Sequence, residues 1–383
     1  MSVNLRDENE ERAVLVQGIV GRTSRAHAEA SLQELRRLAD TAGARVVGAV
    51  SQRIARPTAN FFIGEGKLAE IKLACDHTRA NLVIFDNELS PVQVNNLDLA
   101  LGLKVIDRTE LILQIFARRA RSAEAQIQVE LAQLQYLVTR IPISKRQHRF
   151  HGGIGMRGPG ESPFQLRNEP MRRRITAAKR KLKAIQKRRR QTRKNRDLPL
   201  LCLVGYTNAG KSTLLNALCR SSHTHVDDRL FATLDTKTSL LHLPDGRNVL
   251  LTDTVGFIRN LPHGLVASFR STLEEVTEAD MLLIVADVAH PDVTAHVDVV
   301  MNTLHEIGAE RIPAVLVLNK ADRAAADADS QGRSLAESLP TVSVSALKRS
   351  GLDRLKTLIA AELPPPPERR PTAGWKEWSQ PAT

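Results

Sequence analysis

The strand-like run Leu200-Leu-Cys-Leu-Val-Gly205 leads without interruption into Gly205-Tyr206-Thr207-Asn208-Ala209-Gly210-Lys211-Ser212. A helical run, Thr213-Leu-Leu-Asn-Ala-Leu-Cys219, follows at once. No other stretch constrains the chain as strongly, because a glycine-bounded loop ending in Lys-Ser is a phosphate cradle in this strand–loop–helix setting. The glycines let backbone N–H groups converge on phosphate oxygens at the positive end of the helix. Lys211 is then expected to reach the β- and γ-phosphates, and the Ser212 hydroxyl to ligate Mg²⁺. Residues 205–213 are accordingly the candidate phosphate site.

The loop alone does not choose between ATP and GTP. Asn319-Lys320-Ala321-Asp322 closes the apolar strand Ala314–Leu318, roughly 110 residues downstream. A carboxylate at Asp322 accepts from the ring N–H and the exocyclic amine of guanine together. Adenine would leave that carboxylate unpaired, at a cost of about 1–3 kcal/mol or more. Asn319 is expected to brace the phosphate loop, and the Lys320 stem to cover the base. Ser345 and Ala346, after the strand at 341–344, are placed to meet the guanine oxygen through backbone N–H groups. Asp253-Thr-Val-Gly256 ends a further strand, Asn248–Thr252; Asp253 is expected to hold Mg²⁺ through water and the Gly256 N–H to reach the γ-phosphate. Upstream, Arg229-Leu-Phe-Ala-Thr233 sits in a polar connection, and Thr233 is the candidate switch threonine, closing on Mg²⁺ only with the γ-phosphate present. Thr236 and Thr238 compete for that role. Lys211, Thr233 and Gly256 form the candidate catalytic set, and Ser212, Thr233 and Asp253 the metal set.

Ahead of this segment the pattern alternates. Residues 13–20, 44–50 and 81–87 read as buried strands, with amphipathic helices at 31–40 and 67–78 between them. That order implies a parallel sheet flanked by helices. Phe61–Lys67 reads as a strand-to-helix turn, with a small phosphate-binding turn as the competing reading. Asp107 with Glu110 reads as a helix N-cap and predicts one long helix to about Arg140. The apolar series Ile127, Leu131, Leu134, Val138, Ile141 is matched by Met171, Ile175, Ala178, Leu182, Ile185 beyond a glycine-rich break, which predicts an antiparallel helical hairpin.

Charge is concentrated in that second helix. The chain of 383 residues carries a formal net charge of +13. Residues 167–196 hold 15 Lys or Arg against the single acid Glu169, a sum of +14, so the remainder is 13 − 14 = −1. A near-neutral protein with one cationic segment points to a polyanionic partner at a defined place. A solvated charged face is the bland alternative. Between the helices lies His151-Gly-Gly-Ile-Gly-Met-Arg-Gly-Pro-Gly-Glu-Ser-Pro163, either a backbone surface for a ligand or a flexible linker. Aromatics make up 3%, which argues against a surface built of base-stacking rings. No run approaches the ~18 apolar residues of a membrane span, and the N-terminus is polar and acidic. Cys75, Cys202 and Cys219 show neither paired nor metal-ligand spacing. A cytoplasmic protein is expected.

The order GGIGMRGPGE, basic helix, GYTNAGKS, FATLD, DTVGF and NKAD resembles the HflX family of ribosome-associated GTPases across roughly residues 10–362. The resemblance implies an α/β chain: an N-terminal parallel α/β domain with a long antiparallel helical hairpin, then a Ras-like P-loop GTPase domain. The expected divisions are 1–107, 108–197 and 198–363, with a disordered proline-rich tail at 364–383. It also implies binding to the large ribosomal subunit, through the basic helix 167–196 and the glycine-rich loop 151–163, and nucleotide-dependent splitting or rescue of stalled ribosomes. GTP is the implied substrate, Mg²⁺ the implied cofactor, and a monomer is expected. Ras-like GTPases carry a water-orienting glutamine after the switch glycine; Phe257 stands there instead, which implies slow intrinsic hydrolysis stimulated by the ribosome. After GPGE the family continues Thr-Gln-Leu-Glu, whereas here Ser162-Pro-Phe-Gln follows, and Pro163 and Pro170 are expected to shift the start of the second helix. Two other readings compete: a switch acting on a protein or an anionic membrane surface, and a non-enzymatic RNA-binding or assembly protein that keeps GTP as a ligand.

Overall fold

The computed structural model describes residues 10–140, 163–194, 198–219, 230–231, 233–259, 275–324 and 339–363. Most of the glycine-rich loop, Arg229 and the proline-rich tail lie outside the described residues.

Four short strands, β1 (Arg12–Val20), β2 (Arg45–Ile54), β3 (Leu82–Phe85) and β4 (Lys104–Asp107), form an all-parallel sheet in the order β2-β1-β3-β4. Its central strands are apolar at nearly every position because both faces are covered. Ala13, Leu15, Ile84 and Ile106 point to one core, Val14, Val16, Val83 and Phe85 to the other, following the two-residue period of a strand. Helices α1 (Arg25–Ala42) and α4 (Arg108–Arg119) cover the first face, α2 (Glu65–Thr78) and α3 (Pro91–Leu101) the second. Phe61–Lys67 forms the entry to α2, with Gly64 at its N-cap.

The predicted long helix from Asp107 is interrupted. Asp107 does accept the Glu110 N–H at 2.9 Å, but α4 stops at Arg119, and Ala120 turns to an extended ψ of 112°. A second helix, α5 (Ala123–Arg140), starts after Ser122, whose Oγ accepts the Ala125 N–H at 3.1 Å. No glycine or proline marks the break; a capping serine and a contact from residue 235 make it. Helix α6 (Pro163–Lys194) begins at Pro163, where a missing N–H costs nothing, and carries Pro170 within it. Leu131 of α5 packs on Ala178 and Leu182 of α6, flanked by Ile127 and Ile175, so the middle of the predicted seam forms; Ile141 lies outside the described residues. The opposite side of α6 is cationic: Arg172, Arg173, Arg174, Lys179, Arg180 and Lys183 are all exposed.

The remaining strands are β5 (Leu200–Gly205), β6 (Lys237–His242), β7 (Asn248–Asp253), β8 (Met281–Asp287), β9 (Ala314–Asn319) and β10 (Thr341–Ser343). They form one sheet, β10-β9-β8-β5-β7-β6, parallel except for β6 against β7. Helices α7 (Lys211–Leu218) and α9 (Leu352–Glu362) lie on one face and α8 (Val293–Glu306) on the other. The chain reverses its winding at β5, so the crevice beyond the carboxyl ends of β5 and its neighbours is where an open α/β sheet places a ligand. No helix among the described residues is long and apolar enough to cross a membrane.

The two sheets are joined through a buried arginine. Arg108, at the start of α4, donates to Asp86 at 2.8 Å, to Glu34 of α1, and to the carbonyl of Arg259 at 3.1 Å. Leu230, Phe231, Leu234 and Ile258 from the second half enter the core of the first, with Phe231 edge-on to Phe116 at 4.7 Å. Truncating Arg108 would leave two buried carboxylates without their cation. Arg108→Ala is expected to destabilise the chain by about 3–5 kcal/mol, read as a lower urea midpoint; an unchanged midpoint would contradict the joint.

Candidate functional site

The phosphate loop is built from close backbone approaches that its glycines permit. A Cβ on Gly205 would lie 2.3 Å from the Val285 carbonyl oxygen, and one on Gly210 (φ 93°) 2.3 Å from Asn319 Nδ2. Asn319, buried at the end of β9, donates from Nδ2 to the Ala209 carbonyl at 2.9 Å and accepts the Ala346 N–H at 3.0 Å on Oδ1. Lys320 Nζ donates to the Asn208 carbonyl and pairs with Asp287, both at 2.8 Å. Two residues of the NKAD segment therefore scaffold the loop directly, and the Ala346 N–H serves Asn319. Asp322 is exposed, and Ser345 Oγ donates to one carboxylate oxygen at 2.5 Å. That hydrogen bond holds the Asp322 carboxyl below the usual carboxylate range.

Three oxygens meet at the start of α7. Ser212 Oγ lies 2.5 Å from Asp253 Oδ2 and 2.7 Å from Thr233 Oγ1, which is itself 3.1 Å from the same carboxylate oxygen. Of the competing threonines, Thr236 donates to Glu275 at 3.2 Å and Thr238 shares a hydrogen bond with Thr252 at 2.8 Å. Only Thr233 among the three stands at this corner. Asp253 is fully buried, and its Oδ1 has no hydrogen-bond partner. Hard oxygen donors plus an orphaned carboxylate oxygen are a chemistry that fits Mg²⁺ shared with a phosphate. Thr213 sits one residue on, half-buried.

Lys211 Nζ is buried and donates to the carbonyls of Gly205 (3.1 Å) and Tyr206 (2.9 Å). Burial lowers its ammonium to about 8, with Asp253 opposing the shift. Burial likewise raises Asp253, with Lys211 the first opposing influence. Both ionic forms are short of solvation, a deficit that a phosphate and a divalent cation would relieve together. The segment after Asp253 closes against the loop: the Thr207 N–H donates to Phe257 O at 2.8 Å, and the Phe257 N–H to Gly205 O at 3.1 Å. A Cβ on Gly256 would lie 2.8 Å from Thr207 Cα and 2.9 Å from Lys211 Nζ. The Phe257 ring is buried in the core under β5 and β8.

Sequence patterning missed the partners that reach this site from the first sheet. The Tyr206 hydroxyl donates to Glu34 of α1 and accepts the Arg259 N–H at 2.9 Å. His296 stacks on the Tyr206 ring at 3.8 Å and 9°, and burial lowers its imidazole to about 3, so it is neutral. Arg259 pairs with Asp292 at 3.2 Å. Asp235, two residues past Thr233, accepts the N–H groups of Arg121 (3.0 Å) and Ser122 (3.2 Å) at the start of α5. One signal for Glu34 was present: it falls on the apolar face of α1, beside Ser31 and Leu35, where a carboxylate needs a partner.

Comparison with known proteins covers nearly the whole chain. Residues 29–117 match a family described as GTP-binding GTPase N-terminal, residues 119–196 the GTP-binding GTPase middle region, and residues 200–320 a family described as 50S ribosome-binding GTPase. The chain is 46% identical over 364 residues to "GTPase HflX" of Caldanaerobacter subterraneus subsp. tengcongensis, covering 93% of this chain and 81% of that protein. It is 44% identical over 295 residues to "GTPase HflX" of Escherichia coli (strain K12), covering 76% and 69%. Among solved structures it is similar to the crystal structure of the SsGBP and GDP complex, with 26% identity, a TM-score of 0.50, and coverage of 92% and 98%.

A pH dependence follows from Lys211. Its ammonium, at about 8, is favoured by an adjacent phosphate, so ligand binding takes up a proton above that pH. GDP affinity is expected to fall about ten-fold between pH 7 and pH 9. Calorimetry in buffers of different ionisation enthalpy should register the uptake at pH 9; a flat profile would contradict a buried, phosphate-facing Lys211.

Proposed function

The chain belongs to the HflX family of GTPases, and on that premise we propose that it hydrolyses GTP, associates with the large ribosomal subunit, and splits or rescues stalled ribosomes according to its nucleotide. The observation that carries the nucleotide part is the meeting of Ser212, Thr233 and Asp253 beside Lys211. Residues from three separate segments converge there.

In this reading the phosphates lie against the N-terminus of α7, within the backbone of residues 206–210, and Lys211 turns from the loop carbonyls to the β- and γ-phosphates. Ser212, Thr233 and Asp253 would hold Mg²⁺, which would supply charge neutralisation on the transferred phosphoryl group. Asp322 accepts from the guanine ring N–H and amine, and Asn319 keeps the loop in register with the base. The Gly256 N–H faces the γ-phosphate. Water attacks the γ-phosphorus, the bond to the bridging oxygen breaks, and GDP and phosphate leave. Phe257 offers that water no hydrogen bond, so the chain alone is a slow catalyst and the ribosome completes the site.

The exposed cations of α6 are the surface for ribosomal RNA. Their apolar counterparts, Ala178 and Leu182, are buried against Leu131. An amphipathic helix lying in a membrane surface would need that apolar face free, so the observed packing favours RNA over lipid.

Multiple-turnover hydrolysis of GTP, with and without large subunits, tests the proposal. Slow turnover alone, marked stimulation by subunits, no ATP turnover and loss of activity in Lys211→Ala are expected. Equal rates with and without ribosomes would count against it. Replacing Arg172, Arg173 and Arg174 by Gln should weaken subunit binding and flatten the log-affinity against log-salt slope by roughly 2–3. An unchanged slope would remove α6 from the interface.

A further inference from the structure

The strap between Leu230 and Asp235 touches three parts of the molecule at once. Phe231, held at a positive φ of 54°, inserts its ring beside Phe116 of α4, and Leu234 enters the same core. Thr233 points the other way, to Ser212 and Asp253. Asp235 then closes the strap on α5: its carboxylate accepts the Arg121 and Ser122 N–H groups and the Ser122 hydroxyl. Ser122 Oγ in turn accepts from Ala125 in the first turn of the helix. Two N–H groups immediately ahead of α5 are thus satisfied by a residue 113 or 114 positions away in sequence, and this contact sits at the α4–α5 break that the sequence does not announce.

We propose that Asp235 is a positioning residue for Thr233, and that the Asp235–Ser122 contact is the joint through which γ-phosphate occupancy reaches the α5–α6 pair. The inference rests on the nucleotide reading above and deepens it. Two residues of extended chain span at most about 7 Å. Thr233 cannot withdraw far from Ser212 without pulling Asp235 off the start of α5, because Phe231 and Leu234 fix the strap on its other side. With Asp235 withdrawn, the Arg121 and Ser122 N–H groups and the Ser122 hydroxyl, just ahead of the helix, lose a charged acceptor. The link runs both ways: whatever steadies α5, including a polyanion seated on α6, favours Thr233 in place, and so favours GTP over GDP by the same factor.

The test uses the full chain and reads amide exchange at residues 121–126, with a non-hydrolysable GTP analogue plus Mg²⁺ or with GDP. The wild type should show these amides exchanging about 5–10-fold more slowly with the GTP analogue. Asp235→Ala should abolish that difference and lower GTP-analogue affinity by a similar factor, with GDP affinity unchanged. Asp235→Asn keeps one acceptor oxygen and should retain part of the difference. Exchange across β5 and β8 reports whether each variant is folded. State-independent exchange at 121–126 in a wild type that binds both nucleotides would overturn the joint alone, as would an Asp235→Ala variant that keeps the difference. Failure of the wild type to bind either guanine nucleotide would overturn the nucleotide reading and the joint with it.

Discussion

A single buried guanidinium holds the two halves of this molecule in register. Arg108 sits between Glu34 and Asp86 of the first sheet's layer and also binds the Arg259 carbonyl, three residues past Gly256. A buried ion cluster of this kind adds little net stability compared with an apolar core of the same shape, but removing one member is costly. Its consequence is geometric. Glu34 also takes the Tyr206 hydroxyl, so the phosphate loop and the segment after Gly256 are gripped by the same three side chains.

With that grip in place, neither the segment around Thr233 nor the segment after Asp253 is free of the first sheet. The segment around Thr233 lies on α4 and α5 through Phe231, Leu234 and Asp235; the segment after Asp253 is tied in by Ile258 and the Arg259 backbone. In a free-standing P-loop domain both would face solvent or a partner. Here the N-terminal layer occupies that place, and α5, paired with the cationic α6, begins where the Thr233 strap ends. In the proposed reading, that arrangement gives a phosphate-sized change a short mechanical route to the cationic face of α6.

Much of this was legible from residue order. The strands of both sheets that carry continuous β-branched runs, the seam from Ile127 through Leu182 and the loop from Gly205 to Ser212 each follow from local periodicity or turn chemistry, and the structure places them as read. The α4–α5 break was not legible, because Arg119-Ala-Arg-Ser contains no residue that stops a helix; the acceptor that opens the break comes from Asp235. The choice of Thr233 over Thr236 and Thr238 likewise depended on which hydroxyl the fold turns toward Ser212. Glu34, Arg108 and Tyr206 were hidden for a related reason. Arg108 is unremarkable in its own segment, Tyr206 reads only as part of the phosphate loop and Glu34 only as a carboxylate on an apolar helix face; their shared role arises only where two sheets meet. Local rules describe elements, whereas buried charge records how elements are joined.

In the proposed mechanism, occupancy beside Ser212 and Thr233 governs the cationic face of α6. Co-sedimentation with large ribosomal subunits at fixed salt, in a GTP analogue, in GDP and without nucleotide, measures it most directly. Firm binding is expected with the analogue and distinctly weaker binding in the other two conditions. Equal pelleting in all three would contradict it, leaving α6 a constitutive RNA anchor with no connection to the nucleotide.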